Sequence, residues 1–573
     1  MPLLSIVAGL TFAGALPQAD LINESDIRRD LTYLASEKLE GRFTGSRGER
    51  KSADYIADQV RRAGLKPLVG NSYFHDFPLT AGRAMGLKNR LKLSTSSGKS
   101  FDLKPGHDFV PLFGSVTPKP VEAEVVWVGG GVVNASKNDY GDVDVKGKIV
   151  LALRGPESNS AKARTATERG AIGIVFIGPQ ADGSLDLPRI VSSQGLGRNA
   201  RLAGAAVTAR WAESLTGAKF ADLANLKAKP LGVTMTLETD LVPNRLMGRN
   251  VIAILPGTDP KLSQQYIIFG AHHDHLGYAE TGSRTGAEKM HLGADDNGSG
   301  SAAILSIARY FAASKQNRRP IIFQWYSGEE LGLLGSADWA KNHPEILKRT
   351  TLMINLDMVG RVREGKLSVF GSEITKEMPE LIKSIQIEGL KLDASPSVPP
   401  NSDHASFTAR MVPAVHAFSG LHPEYHTESD TLETINWEGI VQSARAMAAL
   451  GLAADRLDFP MIFRKPPAGR PDMGSTRPTN TARRVRTGFM PDMSGTGPGM
   501  LIQGTIAGSP AEKAGIKAGD RLIRFGSQEV KSVEDLQQAL TTAQPGVPVK
   551  VVVLRDGKEI ELTMTPEAAS PQG

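Results

Sequence analysis

Apolar positions in this chain change their period from segment to segment, and the changes mark its organisation. Residues 25–34 and 48–64 repeat apolar side chains at helical spacing, as in Ala53, Ile56, Ala57 and Val60, which predicts two amphipathic helices. Gly41, Thr44, Gly45, Ser46 and Gly48 read as the loop between them. Short β-rich runs follow, VEAEVVWVGGGVV and GKIVLALRG, then a helix over 161–169 and a buried strand over 172–177. Together they predict a compact α+β unit over about 118–235. From residue 250 the texture changes again. VIAILPG, YIIFGAH, PIIFQWYS, TLMINLDM, KLSVFG and VPAVHAFSG are continuous apolar runs, and SAAILSIARYFAAS between two of them is a good helix. Such runs fit strands of a mostly parallel sheet with helices on both faces. After an unpatterned Pro- and Arg-rich stretch, GMLIQGTI, DRLIRFG, VKVVVLR and EIELTMT predict strands of a small α+β domain, with helices at SPAEKAG and SVEDLQQALTT.

A length of 573 residues agrees with several compact units. Hydrophobic content of 40% and charged content of 22% argue against general disorder and against a membrane bundle. The chain has no cysteine, so disulfides, thiolate metal sites and cysteine nucleophiles drop out and any metal must sit on His, Asp and Glu. Residues 3–16 form an apolar run with Ala13 and Ala15 spaced like a signal-peptidase site, which predicts a signal peptide over 1–19 and export to a periplasmic, cell-surface or extracellular location of bacterial type. Elsewhere no stretch is long and apolar enough for a transmembrane segment. The net charge of +6 is local: eight basic residues between 456 and 486 face only Asp458 and Asp472. A solvated linker over 456–485 explains this without a specific nucleic-acid partner.

The chemistry-bearing residues sit where an α/β sheet collects ligands, beyond the carboxyl ends of its strands. His272 ends YIIFGAH, Glu329 and Glu330 follow PIIFQWYSG, Asp357 follows TLMINL, and His426 lies beyond VPAVHAFSG. Asp296 lies in the glycine-rich turn GADDNGSG. Imidazole and carboxylate donors of this kind suit zinc, and a carboxylate such as Asp296 can bridge two ions. Asp274, two residues from His272, is placed by strand periodicity to orient its imidazole. Lone histidines at 75, 107, 343 and 416 read as structural; His273, His275, His291 and His422 read as surface or subsite positions. Asp403 and His404 divide between contacting the ligands and capping a loop.

GAHHDH, GADDNGSG, YSGEELGLLGS, NLDMVG, SDHASF and YHTESDT, taken in this order, resemble the di-zinc aminopeptidases, a group that also includes glutamate carboxypeptidase and the transferrin receptor. The resemblance implies a zinc exopeptidase fold with two zinc ions, one on His272, Asp296 and Asp357 and the other on Asp296, Glu330 and His426. It further implies Glu329 as general base and Tyr425 as hydrogen-bond donor to the tetrahedral intermediate, in an enzyme that removes N-terminal residues from peptides. A dipeptidase or carboxypeptidase on the same scaffold, and a non-catalytic binding protein, are the alternatives. LASEKLEGRFTGSRGERKSADYIA looks like the family's N-terminal portion, so the peptidase domain is expected over 20–117 and 236–455. DVKGKIVLALRG and ATERGAIGIVFIG resemble a protease-associated insert over 118–235. GSPAEKAGIKAGDRLIRFGSQEVKSVEDLQQAL resembles a PDZ domain over 486–567; one reading has its segment 486–490 offer N–H groups to a C-terminal peptide ligand, the other makes it a structural domain.

Overall fold

The structure, a computed structural model, describes residues 16–464, 485–491 and 499–568 apart from short gaps at 116, 118, 135–136, 156–157, 179–186, 191–194, 197–201, 280–281, 285–288, 506–507, 518, 531–535, 537–538 and 541–542. Nearly all of the expected signal peptide, most of the basic linker and most of SVEDLQQALTT therefore lie outside the described residues. The chain divides into two compact units, one of residues 1–77, 248–275 and 292–572, the other chiefly Pro78–Met247 with Leu276–His291. No helix among the described residues is long and apolar enough to cross a membrane.

The first unit is built on a mixed sheet. Its main strands are β1 (Leu241–Leu255), β2 (Tyr266–His272), β3 (Ile321–Tyr326), β4 (Thr350–Leu356), β5 (Lys366–Phe370), β6 (Lys391–Ser395) and β7 (Ala414–Phe418). They lie in the order β1-β3-β2-β4-β7-β5-β6. The four central strands β3, β2, β4 and β7 are mutually parallel, while β1 and β5 join them antiparallel. Apart from the partly buried Tyr266, the central strands are buried throughout, which is why their sequences are apolar without alternation. The period of two survives in what each face touches. Ile267 and Phe269 pack with helices α1 (Glu24–Leu34), α2 (Arg47–Arg62), α3 (Gly300–Ser314) and α5 (Trp437–Asp455), whereas Ile268 packs with Trp339 and Ala340 of α4 (Leu334–Asn342).

Chain direction across this sheet reverses at β2. From β2 the chain passes through α3 to β3 on one side, then through α4 to β4 on the other. Parallel crossovers are right-handed, so reversing direction places α3 and α4 on opposite faces and opens a crevice at the carboxyl end of β2. Close approach is obligatory here: a Cβ on Gly300, the first residue of α3, would lie 2.3 Å from the Leu356 carbonyl at the end of β4.

The second unit holds an eight-stranded sheet with a parallel centre of Val121–Trp127, Ile149–Leu153, Gly173–Ile177 and Ala203–Val207. Arg90–Thr95, Ser100–Leu103 and Phe109–Pro111 belong to the same sheet. These earlier strands pair with Lys229–Glu238, with each other and with Ala203–Val207, so the sheet also takes in strands N-terminal to the expected insert over 118–235. The C-terminal domain has a core of Ile502, Leu522, Val551, Val553 and Met564 under antiparallel strands. Its segment 486–490 is not an open loop: Arg486 pairs with Glu567, and Phe489 and Met490 pair with Thr505 and Gly504.

Candidate metal centre

Three neighbouring carboxyl ends deliver the first donors. His272 is the last residue of β2, Asp357 follows β4, and Glu329 and Glu330 follow β3 in a turn with Gly328 at φ 73°. Asp296 comes from the turn before α3, which is held from several sides. Asn297 donates to the Leu356 carbonyl and accepts from Gly300 N, at 2.9 Å each, and Asp295 accepts from Gly360 N at 2.7 Å. Beneath lies the buried Arg42, donating to the carbonyls of His273 (2.8 Å), Leu292 (2.7 Å), Gly293 (2.9 Å) and Leu34. Burial lowers the Arg42 pKa to about 10, partly offset by Asp430, Asp274, Asp296 and Glu330.

The donor atoms form two groups that share one carboxylate. His272 Nε2 lies 3.3 Å from Asp296 Oδ1 and 3.4 Å from Asp357 Oδ1. His426 Nε2 lies 3.1 Å from Asp296 Oδ2 and 3.0 Å from Glu330 Oε2. Zinc–ligand bonds of about 2.0–2.1 Å in a tetrahedron set ligand atoms roughly 3.3 Å apart, so the spacing fits. Asp357 Oδ1 is buried with no hydrogen-bond partner among the described residues, while Oδ2 accepts from the Ser402 hydroxyl at 2.6 Å. An orphaned carboxylate oxygen facing an imidazole is what an ion would satisfy. The residues present therefore fit the metal. Potential ligand atoms lie within 4.8 Å of one another in three combinations: His272, Asp296 and Asp357; His275, Asp296 and Glu330; and His272, Glu329 and Glu330.

Asp274 meets His272 Nδ1 with its own carbonyl at 3.2 Å and its carboxylate at 3.5 Å. That carboxylate also accepts from the Thr44 hydroxyl at 2.7 Å and from Glu329 N at 3.3 Å, so it ties the base loop to the His272 strand end. Burial drives the Glu329 pKa well above the usual carboxylate range; His272 opposes this, and Glu330 and Asp357 add to it. Glu330 goes the other way: burial would raise it, but His426 leads the influences that hold it at about 2. Tyr425 stacks on His426 with ring centres 3.8 Å apart. It lines a cavity with Asp296, Glu329, Asp357, Met358, Asn401, His416, Phe418, Leu421 and His426.

Several histidines sit elsewhere than their lone positions suggested. Of the surface and subsite positions expected for His273, His275, His291 and His422, burial excludes the surface one, since all four are wholly buried. His416 lines the cavity, stacked between His404 at 4.6 Å and Phe418 at 5.8 Å. Asp403 makes no cap for the short helix His404–Thr408; burial pushes its carboxyl to about 7. Sequence reasoning missed the supports Arg42, Ser402 and Asp430, although each lies inside a motif block that it had singled out.

Residues 250–451 match the model of Peptidase family M28, residues 121–207 that of the PA domain and residues 476–565 that of the PDZ domain. The chain is thus similar to M28 peptidases over residues 250–451. It is similar to a probable leucine aminopeptidase of Trichophyton verrucosum, 29% identical over 269 residues that take in 43% of this chain and 70% of the relative. It is also similar to leucine aminopeptidase 1 of Arthroderma gypseum, 31% identical over 215 residues, 34% of this chain and 55% of that one. The chain spans little more than half the length of most such relatives. Among solved structures, an aminopeptidase from Aneurinibacillus sp. strain AM-1 is 24% identical and covers 80% of this chain and 98% of its own, with a TM-score of 0.42. All the donor residues described above fall within the M28 segment.

Proposed function

We propose that this chain is a zinc-dependent aminopeptidase holding two ions, one on His272, Asp296 and Asp357 and one on Asp296, Glu330 and His426. The observation that carries this reading is the division of Asp296, whose Oδ1 faces His272 while its Oδ2 faces His426. When bound, such an ion pair acidifies a water and polarises the scissile carbonyl. Glu329 accepts the proton of the attacking water and returns it to the departing amine. Its raised pKa makes it a stronger base once ionised than an exposed glutamate. Tyr425 lines the same cavity, and its hydroxyl donates to the developing oxyanion.

Selection of a free N-terminus would follow from a substrate terminal amine lying beside the Asp296, Glu330 and His426 donor group. Met358, Phe418 and Leu421 supply apolar cavity walls, which favour a leucine-like or aromatic first residue. Leucyl and N-acetyl-leucyl amides test the reading together with Glu329→Ala. The unblocked amide is cleaved and the acetylated one is not; Glu329→Ala loses about 10²–10⁴-fold in kcat while keeping its zinc content. Near-normal turnover by that variant, or efficient cleavage of the acetylated amide, would overturn the assignment.

A further inference from the structure

A buried imidazole outside the proposed ligand set touches Glu330. His275 is fully buried, and its Nδ1 lies 2.8 Å from Glu330 Oε1. The other oxygen of Glu330, Oε2, is the one that faces His426. We infer that His275 is a positioning residue for the second metal site: it donates from Nδ1 to Glu330 Oε1 and so confines Glu330 to a single ligating oxygen, Oε2. The inference rests on the two-ion reading.

Distances separate this role from direct ligation. Ligand atoms sharing a tetrahedral zinc lie roughly 3.3 Å apart. The Nδ1 to Oε1 separation of 2.8 Å is instead that of a charge-assisted hydrogen bond, and Nδ1 stands back at 3.9 Å from Asp296 Oδ2. Glu330 is an ionised carboxylate and can only accept, so Nδ1 carries the hydrogen and cannot at the same time offer a lone pair to an ion.

The surroundings are shaped to hold this ring. The His275 backbone N–H donates to the Arg42 carbonyl at 3.2 Å, and His275 forms an isolated parallel bridge with Phe43, so the backbone is fixed by the buried arginine's own segment. Gly293 lies over the ring at φ 59°; a Cβ there would sit 2.5 Å from the imidazole. The His275 ring meets that of His426 edge-on, with centres 5.9 Å apart at 71°, so the two imidazoles flank Glu330 from different sides. A carboxylate held at one oxygen keeps a narrow ligating direction and leaves coordination positions open, as a catalytic site requires and a closed structural site does not.

Calorimetric titration of the metal-free full-length chain with zinc tests this without an activity readout, using the native chain, His275→Ala and His275→Asn. The Asn amide N–H stands where Nδ1–H stands. The native chain takes up two equivalents. His275→Ala weakens one of them about 10–100-fold and leaves the other unchanged. His275→Asn restores the affinity, and its cobalt derivative keeps the visible absorption of the native chain because no ligand has changed. Unaltered zinc affinity in His275→Ala overturns the inference, as does a His275→Asn variant that is folded by circular dichroism yet as weak as His275→Ala. Fewer than two equivalents in the native chain sinks the two-ion reading itself, a distinct outcome. Should His275→Ala fail to fold, a changed cobalt spectrum in His275→Asn still decides against the positioning role.

Discussion

The Asp430 carboxylate accepts hydrogen bonds from the backbone N–H of Asp296 at 3.0 Å, and also from that of Asp295 at 3.0 and 3.2 Å. It therefore fixes the peptide planes from which the Asp296 carboxylate projects. Asn at this position would present an amide N–H to one of two donors and leave it unpaired in a buried place. Losing a hydrogen bond to a charged group there costs about 1.5–3 kcal/mol. Asp430→Asn should lower the melting temperature and, because Asp296 serves both donor groups, weaken uptake of both zinc equivalents. Loss confined to one equivalent would mean that Asp430 does not act through Asp296. Calorimetry alongside thermal melts separates the two.

Gly300→Ala tests the close approach of α3 to β4. The added Cβ would meet the Leu356 carbonyl at 2.3 Å and the Asn297 amide oxygen at 2.4 Å, both of which hold the turn carrying Asp296. Overpacking of this kind typically costs about 1–3 kcal/mol. The same change should reduce zinc affinity, since Leu356 precedes Asp357. A variant with native melting temperature and native zinc binding would show that the helix can shift without disturbing the donors.

Stability should fall on mild acidification through two stacked rings. Burial lowers the pKa of His404 to about 4 and that of His416 to about 3, the latter helped by His404 itself. In the unfolded chain both titrate near 6.5. The unfolded state thus binds more protons as pH drops below that value, and native stability present at neutral pH is lost downward, by about 1.4 kcal/mol per pH unit for each ring. His404 Nε2 donates to the Pro399 carbonyl at 2.8 Å, a bond that an amide can replace. His404→Gln should therefore show a shallower fall of denaturation free energy between pH 6.5 and 5 than the native chain. An equal slope would mean that His404 is not held neutral.

Much of this site is legible from residues alone, because donor type and strand ends coincide. Continuous apolar runs mark β2, β3 and β4, and the residues just past them are the donors, a relation that topology imposes on parallel sheets. What sequence hides is sideways support. His275 is one residue beyond the alternating pair His272 and Asp274, so strand period alone turns it away from them; the chain leaves β2 at His272, and the bend brings its ring against Glu330. Arg42 is 250 residues from the Leu292 carbonyl that it binds, and no local pattern announces that contact. Arg90–Thr95 likewise has ordinary strand alternation, and its pairing with Val233–Glu238 shows which sheet it joins.

Metal loading should stabilise the chain through Asp296 more than through any other donor. An ion that binds only the folded state contributes RT ln(1 + [L]/Kd), about 2.7 kcal/mol at a hundredfold excess over Kd. For a domain of 150–250 residues each kcal/mol moves the melting temperature by about 2–4 °C, so zinc should raise it by several degrees and a chelator should reverse the change. Among the imidazoles of the site, Asp357 lies against His272 and Glu330 against His426 and His275, whereas Asp296 lies against both groups. Asp296→Asn should thus abolish nearly the whole zinc-dependent rise, while Asp357→Asn and Glu330→Gln each keep part of it. If Asp296→Asn retains the full rise, its carboxylate does not bridge, and the two donor groups load independently of it.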